Sequence, residues 1–178
     1  MTQPQEPTVD GGTRDEALRT ELLARRDRDQ QAREALSPAP SDEEWARVTA
    51  VDVDNTPWIM AVITERGWPG RSMVGEDGAT AAWLLVQHAP LDEQLTALPL
   101  LAAAVARGEA AFRDLAWLLD RVRMRLGLPQ VFGSQFTRDQ PDDPWEVHPN
   151  GAARGRRRRA AIGARPVDAD RRALNHGA

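Results

Sequence analysis

The stretch Gly67–His88, GWPGRSMVGEDGATAAWLLVQH, constrains the fold more than any other part of the chain. A Trp-Pro-Gly turn leads into a segment that is apolar on nearly all sides. Proline fixes one dihedral, glycine admits positive φ, and a tryptophan before proline is held extended. A helix apolar all round must be enclosed by other elements. The reading is therefore a central helix, starting near Gly75–Gly78, around which other helices pack. Trp68 is expected either as a core plug beneath the turn or as one wall of a pocket. Gln87 and His88 stand at the far end of this helix, where buried polar groups require partners.

The flanking segments supply the packing. From Arg14 to Leu36, Leu18, Leu22, Ala32 and Leu36 give an incomplete apolar face. The many Glu and Arg three or four apart predict a charged, solvated helix. DQxxR (Asp29, Gln30, Arg33) reads more readily as part of that solvated face than as part of a site, and both readings stay open. Ser41 and Glu44 form a capping box that starts the next helix. A break is expected at Asp52–Pro57, with Asn55 or Thr56 capping a further helix that Gly67 ends. Asp92 is expected to cap a helix kinked or started at Pro99 and closed by Gly108. The final helix is predicted to bury a stripe of Phe112, Leu115, Leu119, Val122 and Leu126, with Gly127 as its stop. Asp120 lies at the edge of that stripe. LPQVFGSQF and WEVHP, either side of a turn-rich stretch, predict a small β-hairpin. The expected architecture is mostly α: a single-domain helical bundle over 14–149 with a small C-terminal β-hairpin. Residues 1–13 are read as a disordered N-terminal tail and 150–178 as a basic, weakly ordered one.

Composition narrows the chemistry. The 178 residues include no cysteine, lysine or tyrosine, and all 23 basic residues are arginine. Disulfides, thiolate metal sites, Schiff bases and phenol catalysis are thereby excluded. Residues 150–178 hold 8 Arg and 2 Asp, so the remainder holds 15 Arg against 25 acids. An acidic body argues against nucleic-acid binding there, leaving only weak polyanion contact through Arg154–Arg159. No secretory signal is seen. No apolar run approaches the roughly 18–20 residues needed to span a membrane, so the chain reads as cytoplasmic. Oligomeric state is not legible.

Several motifs together, DQxxR, DxDNTxW, GWPGxSxVG, AAWLLVQHA, a DR pair and GLPQxxGxQF, resemble a bacterial family catalogued only as a domain of unknown function. The resemblance covers about Asp29 to Phe136, with a weaker echo in RRAAIG. It implies that Asp29, Gln30, Arg33, Asp54, Asn55, Trp68, Gly70, Gln87, His88, Asp92, Asp120, Arg121, Gln130 and Gln135 belong to shared motifs. It implies no reaction. This chain has Phe132-Gly133-Ser134-Gln135 where the family reads Tyr-Gly-Thr-Gln, and its connection after His88 is shorter.

His88 is the one ring base within the helical body, with His148 and His176 beyond it. Asp29, Asp92 or Asp120 would orient it and fix its tautomer. Arg33 or Arg121 would clamp a carboxylate or phosphate, and Gln87, Gln130 and Gln135 would hydrogen-bond a ligand. The expected catalytic set is His88, Asp120 and Asp29; the binding set is Arg33, Gln87, Trp68, Arg121, Gln130 and Gln135. Ser72 and Ser134 lack a GxSxG elbow, which disfavours a serine triad. No HxxxH or HxH pair exists, so a metal would need one His and carboxylates; neither metal nor cofactor is expected. Two readings stay open: a binder of a small polar or anionic molecule, extending to a His/Asp acid–base enzyme, and a non-catalytic interaction or regulatory module whose polar residues form a structural network.

Overall fold

In the computed structural model of the chain, residues 14–137 and 146–147 are described. The expected tails, the arginine run, His148 and His176 lie outside the described residues. The fold is mostly α-helical. Five helices follow in order: α1 (Glu16–Glu34), α2 (Asp42–Arg66), α3 (Arg71–His88), α4 (Leu91–Ala106) and α5 (Phe112–Arg125). No described helix is long and apolar enough to cross a membrane.

α3 is the central element, as its composition requires, and it packs against all four other helices. Val74, Ala81, Ala82, Leu85 and Val86 are buried with Leu18 and Leu22 of α1, Ile59 and Ile63 of α2, Ala97 and Leu101 of α4, and Leu118 and Val122 of α5. Small side chains bring backbones close. A Cβ added at Gly70 would fall 2.5 Å from a Glu109 carboxylate oxygen, which accepts from the Ser72 amide. A short helical turn from Arg71 precedes Gly75, whose φ of 76° breaks the helical path, and the long central helix runs on from there, near the expected start. That left-handed conformation is open to glycine at little cost.

Pairings along the helices fix their directions. Asp15 and Arg19 of α1's start meet Met73 and Asp77 of α3's start, while Asp29 meets His88 at the far end. α1 and α3 are therefore parallel. Arg66, at the end of α2, pairs with Asp15, so α2 runs the other way.

The capping box at Ser41 and Glu44 forms as the sequence predicts. The expected break at Asp52–Pro57 does not occur: α2 is one helix of 25 residues with Pro57 inside it. α4 likewise begins at Leu91 and passes through Pro99; Pro90, not Asp92, stands at its cap. A helical proline deprives the carbonyl four residues back of its donor. Those residues are Val53, 67% exposed, and Leu95, 41% exposed. Both interruptions thus lie on solvent faces, where water can serve the freed carbonyl.

The expected inward face of α5 is kept in part: Val122 is buried and Leu115 packs against the core. Asp114, Ala116, Leu118, Asp120 and Val122 are buried, whereas Phe112 and Leu126 are exposed. The stretch 128–135 is not the expected strand but a loop wrapped around Asp120. Phe136–Thr137 pairs antiparallel with Glu146–Val147 in a two-residue ladder. The turn that would make this a hairpin lies outside the described residues.

Candidate functional site

The site forms where the C-terminal ends of α1 and α3 meet the middle of α2. Asp29 falls seven residues after Leu22, two helical turns along the same face, and is 1% exposed. The DQxxR segment is accordingly not a solvated face. The Asp29 carboxylate accepts from Gln30 Nε2 at 2.8 Å on Oδ2, and Arg33 Nη2 lies 3.2 Å from Oδ1. His88 Nδ1 lies 2.9 Å from the same Oδ1. Arg33 also pairs with Asp52 of α2. One motif of α1 thus binds helices α2 and α3 together through a single buried carboxylate.

The hydrogen-bond network selects the His88 tautomer. Nδ1 sits near both Asp29 Oδ1 and Arg33 Nε, the latter at 3.0 Å. If Nδ1 were bare, its lone pair would face a carboxylate oxygen at 2.9 Å. Protonated, it donates to Asp29, and Asp29 Oδ2, 3.3 Å from Arg33 Nε, is the acceptor left to that N–H. The second arrangement gives the buried Asp29 carboxylate a donor in place of a facing lone pair. It leaves Nε2 with a lone pair and no hydrogen-bond partner among the described residues.

His88 borders a cleft of about 420 Å³ lined also by Thr49, Asp52, Thr56, Pro57 and Arg125. Burial depresses the His88 pKa; Asp29 opposes this, and Arg33 and Arg121 reinforce it. The imidazole is therefore neutral at pH 7. For Asp29, burial acts to raise the pKa, but His88, Arg33 and Gln30 outweigh it and hold the carboxyl below its ordinary value. The pair rests as carboxylate and neutral imidazole, poised to accept a proton at Nε2.

Asp29, Asp52 and His88 offer ligand atoms all within 4.8 Å of one another. No sequence spacing announced this group, because its members come from three helices. The Arg33 guanidinium sits among them and supplies the positive charge there.

Other expected site residues lie elsewhere. Asp120 is fully buried, but it does not meet His88. Its oxygens accept from the amides of Val131, Phe132 and Ser134 and from Ser134 Oγ, at 2.6–3.1 Å. Gln130 and Gln135 brace the same loop: Gln130 Nε2 donates to the Gln135 carbonyl, and Gln135 N donates back to Gln130 Oε1. These three residues clamp the chain after α5. Trp68 is in the hydrophobic core before the start of α3, at the opposite end of that helix from His88. It plugs the core and does not line the cleft. Asp92 caps no helix, and no hydrogen bond joins it to His88.

Gln87 is 2% exposed, and its side-chain amide finds neither donor nor acceptor among the described residues. Its carbonyl accepts from Gln94 Nε2 at 2.8 Å and from Arg121 Nη1 at 3.3 Å. Arg121 also donates to Gln135 Oε1, linking α3 to the clamp loop. Sequence reasoning missed Asp52 and Arg125. Asp52 opens the DxDNTxW motif, and Arg125 follows Arg121 by one turn. The rest of that motif is an α1–α2 seam: Arg25 bonds Asp54 and Asn55 and lies 4.4 Å over the Trp58 ring.

The chain belongs to the family of unknown function DUF6624, whose model matches residues 16–177, a longer span than the motifs alone suggested. No curated protein and no solved structure is detectably similar to it.

Proposed function

We propose that the protein binds a small polar molecule in the cleft beside His88 and that His88 acts there as a general base. One observation carries this reading: a buried Asp29–His88 pair whose second ring nitrogen is left unpaired beside an open cleft. In this mechanism Nε2 takes a proton from an O–H or N–H of the ligand. Asp29 holds the resulting imidazolium through Nδ1–H, and Arg33 and Gln30 keep the carboxylate in place. Thr49 and Thr56 supply hydroxyls for orientation. A cytoplasmic bacterial protein with one helical domain over 14–149, closed by a small hairpin, is the setting this reading assumes.

The test is a screen of small acids, amides and phosphate esters by ligand-observed NMR against wild type and His88→Gln. Gln keeps a donor for Asp29 but has no titratable base. Loss of binders or turnover with a nearly unchanged Tm supports the proposal. A Tm lowered by several degrees with binding intact refutes it and makes His88 structural.

The second reading, a non-catalytic interaction or regulatory module, is favoured by a different observation. Asp120, Gln130, Gln135 and Ser134 are fully engaged with one another and with backbone. That half of the expected constellation works as a fixed hydrogen-bond network.

A further inference from the structure

Arg121 and Arg125 stand one turn apart on α5, an arrangement in which like charges repel. Neither forms an ion pair with a described carboxylate, although most other arginines around the helices do. Arg125 borders the cleft and donates to the Ala89 carbonyl at 3.1 Å. Arg121, behind it, donates to the Gln87 carbonyl and to Gln135, leaving Nη2 without a partner among the described residues. Burial depresses Arg121 most, followed by the charges of Arg125 and Arg33, to about 10. The two charges that depress it, Arg125 and Arg33, are both positive. It nevertheless stays cationic at neutral pH.

The plainer account is that both arginines cap the C-terminal end of α3. Those carbonyls do attract cations, but the end of a helix carries only about half a negative charge. Gln87 O is already served by Gln94. Asp52, the one carboxylate bordering the cleft, is paired with Arg33. Set against Asp29 and Asp52, the three arginines Arg33, Arg121 and Arg125 leave these five groups around His88 with a net charge of +1.

We infer that Arg125, with Arg121 behind it, seats an oxyanion of the ligand, a carboxylate or a phosphate group, beside His88. This rests on the ligand-binding reading above and names the class of ligand. Arg125 makes the direct contact through its free guanidinium nitrogens, and Arg121 supplies field from within the protein.

Inorganic phosphate and acetate are the probes, titrated at constant ionic strength with chloride as the balancing salt. Thermal unfolding and calorimetry are the readouts. Wild type should show a saturable rise in Tm with one probe beyond that with chloride; the stronger probe identifies the oxyanion. At tenfold excess over Kd the rise should be about 3–8 °C. Arg125→Gln, an exposed change that the fold tolerates, should weaken binding about tenfold or more. Arg121→Gln should weaken it too. No saturable effect beyond chloride, or unchanged affinity in Arg125→Gln, overturns the inference. Neutral ligands lost in His88→Gln with no oxyanion effect would sink this inference alone; an oxyanion seat with no ligand or turnover sensitive to His88→Gln would sink the base proposal alone.

Discussion

Replacing Asp120 by asparagine tests whether that residue is a structural clamp or a catalytic acid. In the native protein the carboxylate accepts from three backbone amides and one hydroxyl. Asparagine keeps one acceptor oxygen and turns an NH2 group toward the remaining donors. With Oδ1 retained toward Val131 and Phe132, the Ser134 amide faces another donor. The Ser134 hydroxyl can rotate to accept. One buried N–H is thus orphaned, at about 1–3 kcal/mol, and the surviving bonds lose their charge assistance, at about 1–2 kcal/mol more. The sum, about 2–5 kcal/mol, is a large part of a domain's stability. Tm should fall by roughly 6–20 °C, and the urea midpoint should fall without a change in slope. Hydrogen exchange adds a local readout: the Val131, Phe132 and Ser134 amides should lose protection before the amides of α3. A variant with Tm within 2 °C of wild type, native protection and lost ligand binding or turnover would refute the clamp and restore Asp120 to the site.

Stability should also report His88. Its folded pKa lies below the ordinary value of 6.5, so between those two values the unfolded chain binds more protons. Stability should decline as pH falls below about 6.5, and His88→Gln should flatten that part of the urea-unfolding profile. An identical slope in both proteins would exclude His88 as the cause. Asp29, whose folded pKa is also lowered, contributes stability that is lost only at more acid pH, as the solution falls through its folded value. Pro57→Ala should return a donor to the Val53 carbonyl within an intact helix and raise stability by about 1–3 kcal/mol, measured by urea unfolding. An unchanged or lower midpoint would show that water already serves that carbonyl as well as a helical bond.

Some of this was legible in local sequence. Leu18 and Leu22 gave the inward face of α1, and Asp29 lay on its continuation; the pattern was present, but dense Glu and Arg nearby favoured a solvated reading. For α5 periodicity placed Leu115 and Val122 inward correctly, but Phe112 and Leu126 lie at the surface. Two aspartates took the inward face instead, one of them because three loop amides needed an acceptor. That need arises eleven to fourteen residues downstream. Of the missed residues, Asp52 is marked locally only by opening DxDNTxW and Arg125 only by following Arg121 by one turn.

By itself the sequence determined the helical content, the centrality of the segment from Gly67 to His88, the capping box at Ser41, the glycine stops and the absence of thiol, amine and phenol chemistry. These follow from side-chain volume, dihedral freedom and hydrogen bonds reaching at most four residues along the chain. Tertiary structure alone decided which polar groups meet. Asp29 and His88 are 59 residues apart, and their contact depends on α1 and α3 running parallel. Whether Pro57 and Pro99 break their helices depended on which faces met solvent. A buried carboxylate takes its role from the donors the fold brings to it: an imidazole for Asp29, a loop's amides for Asp120.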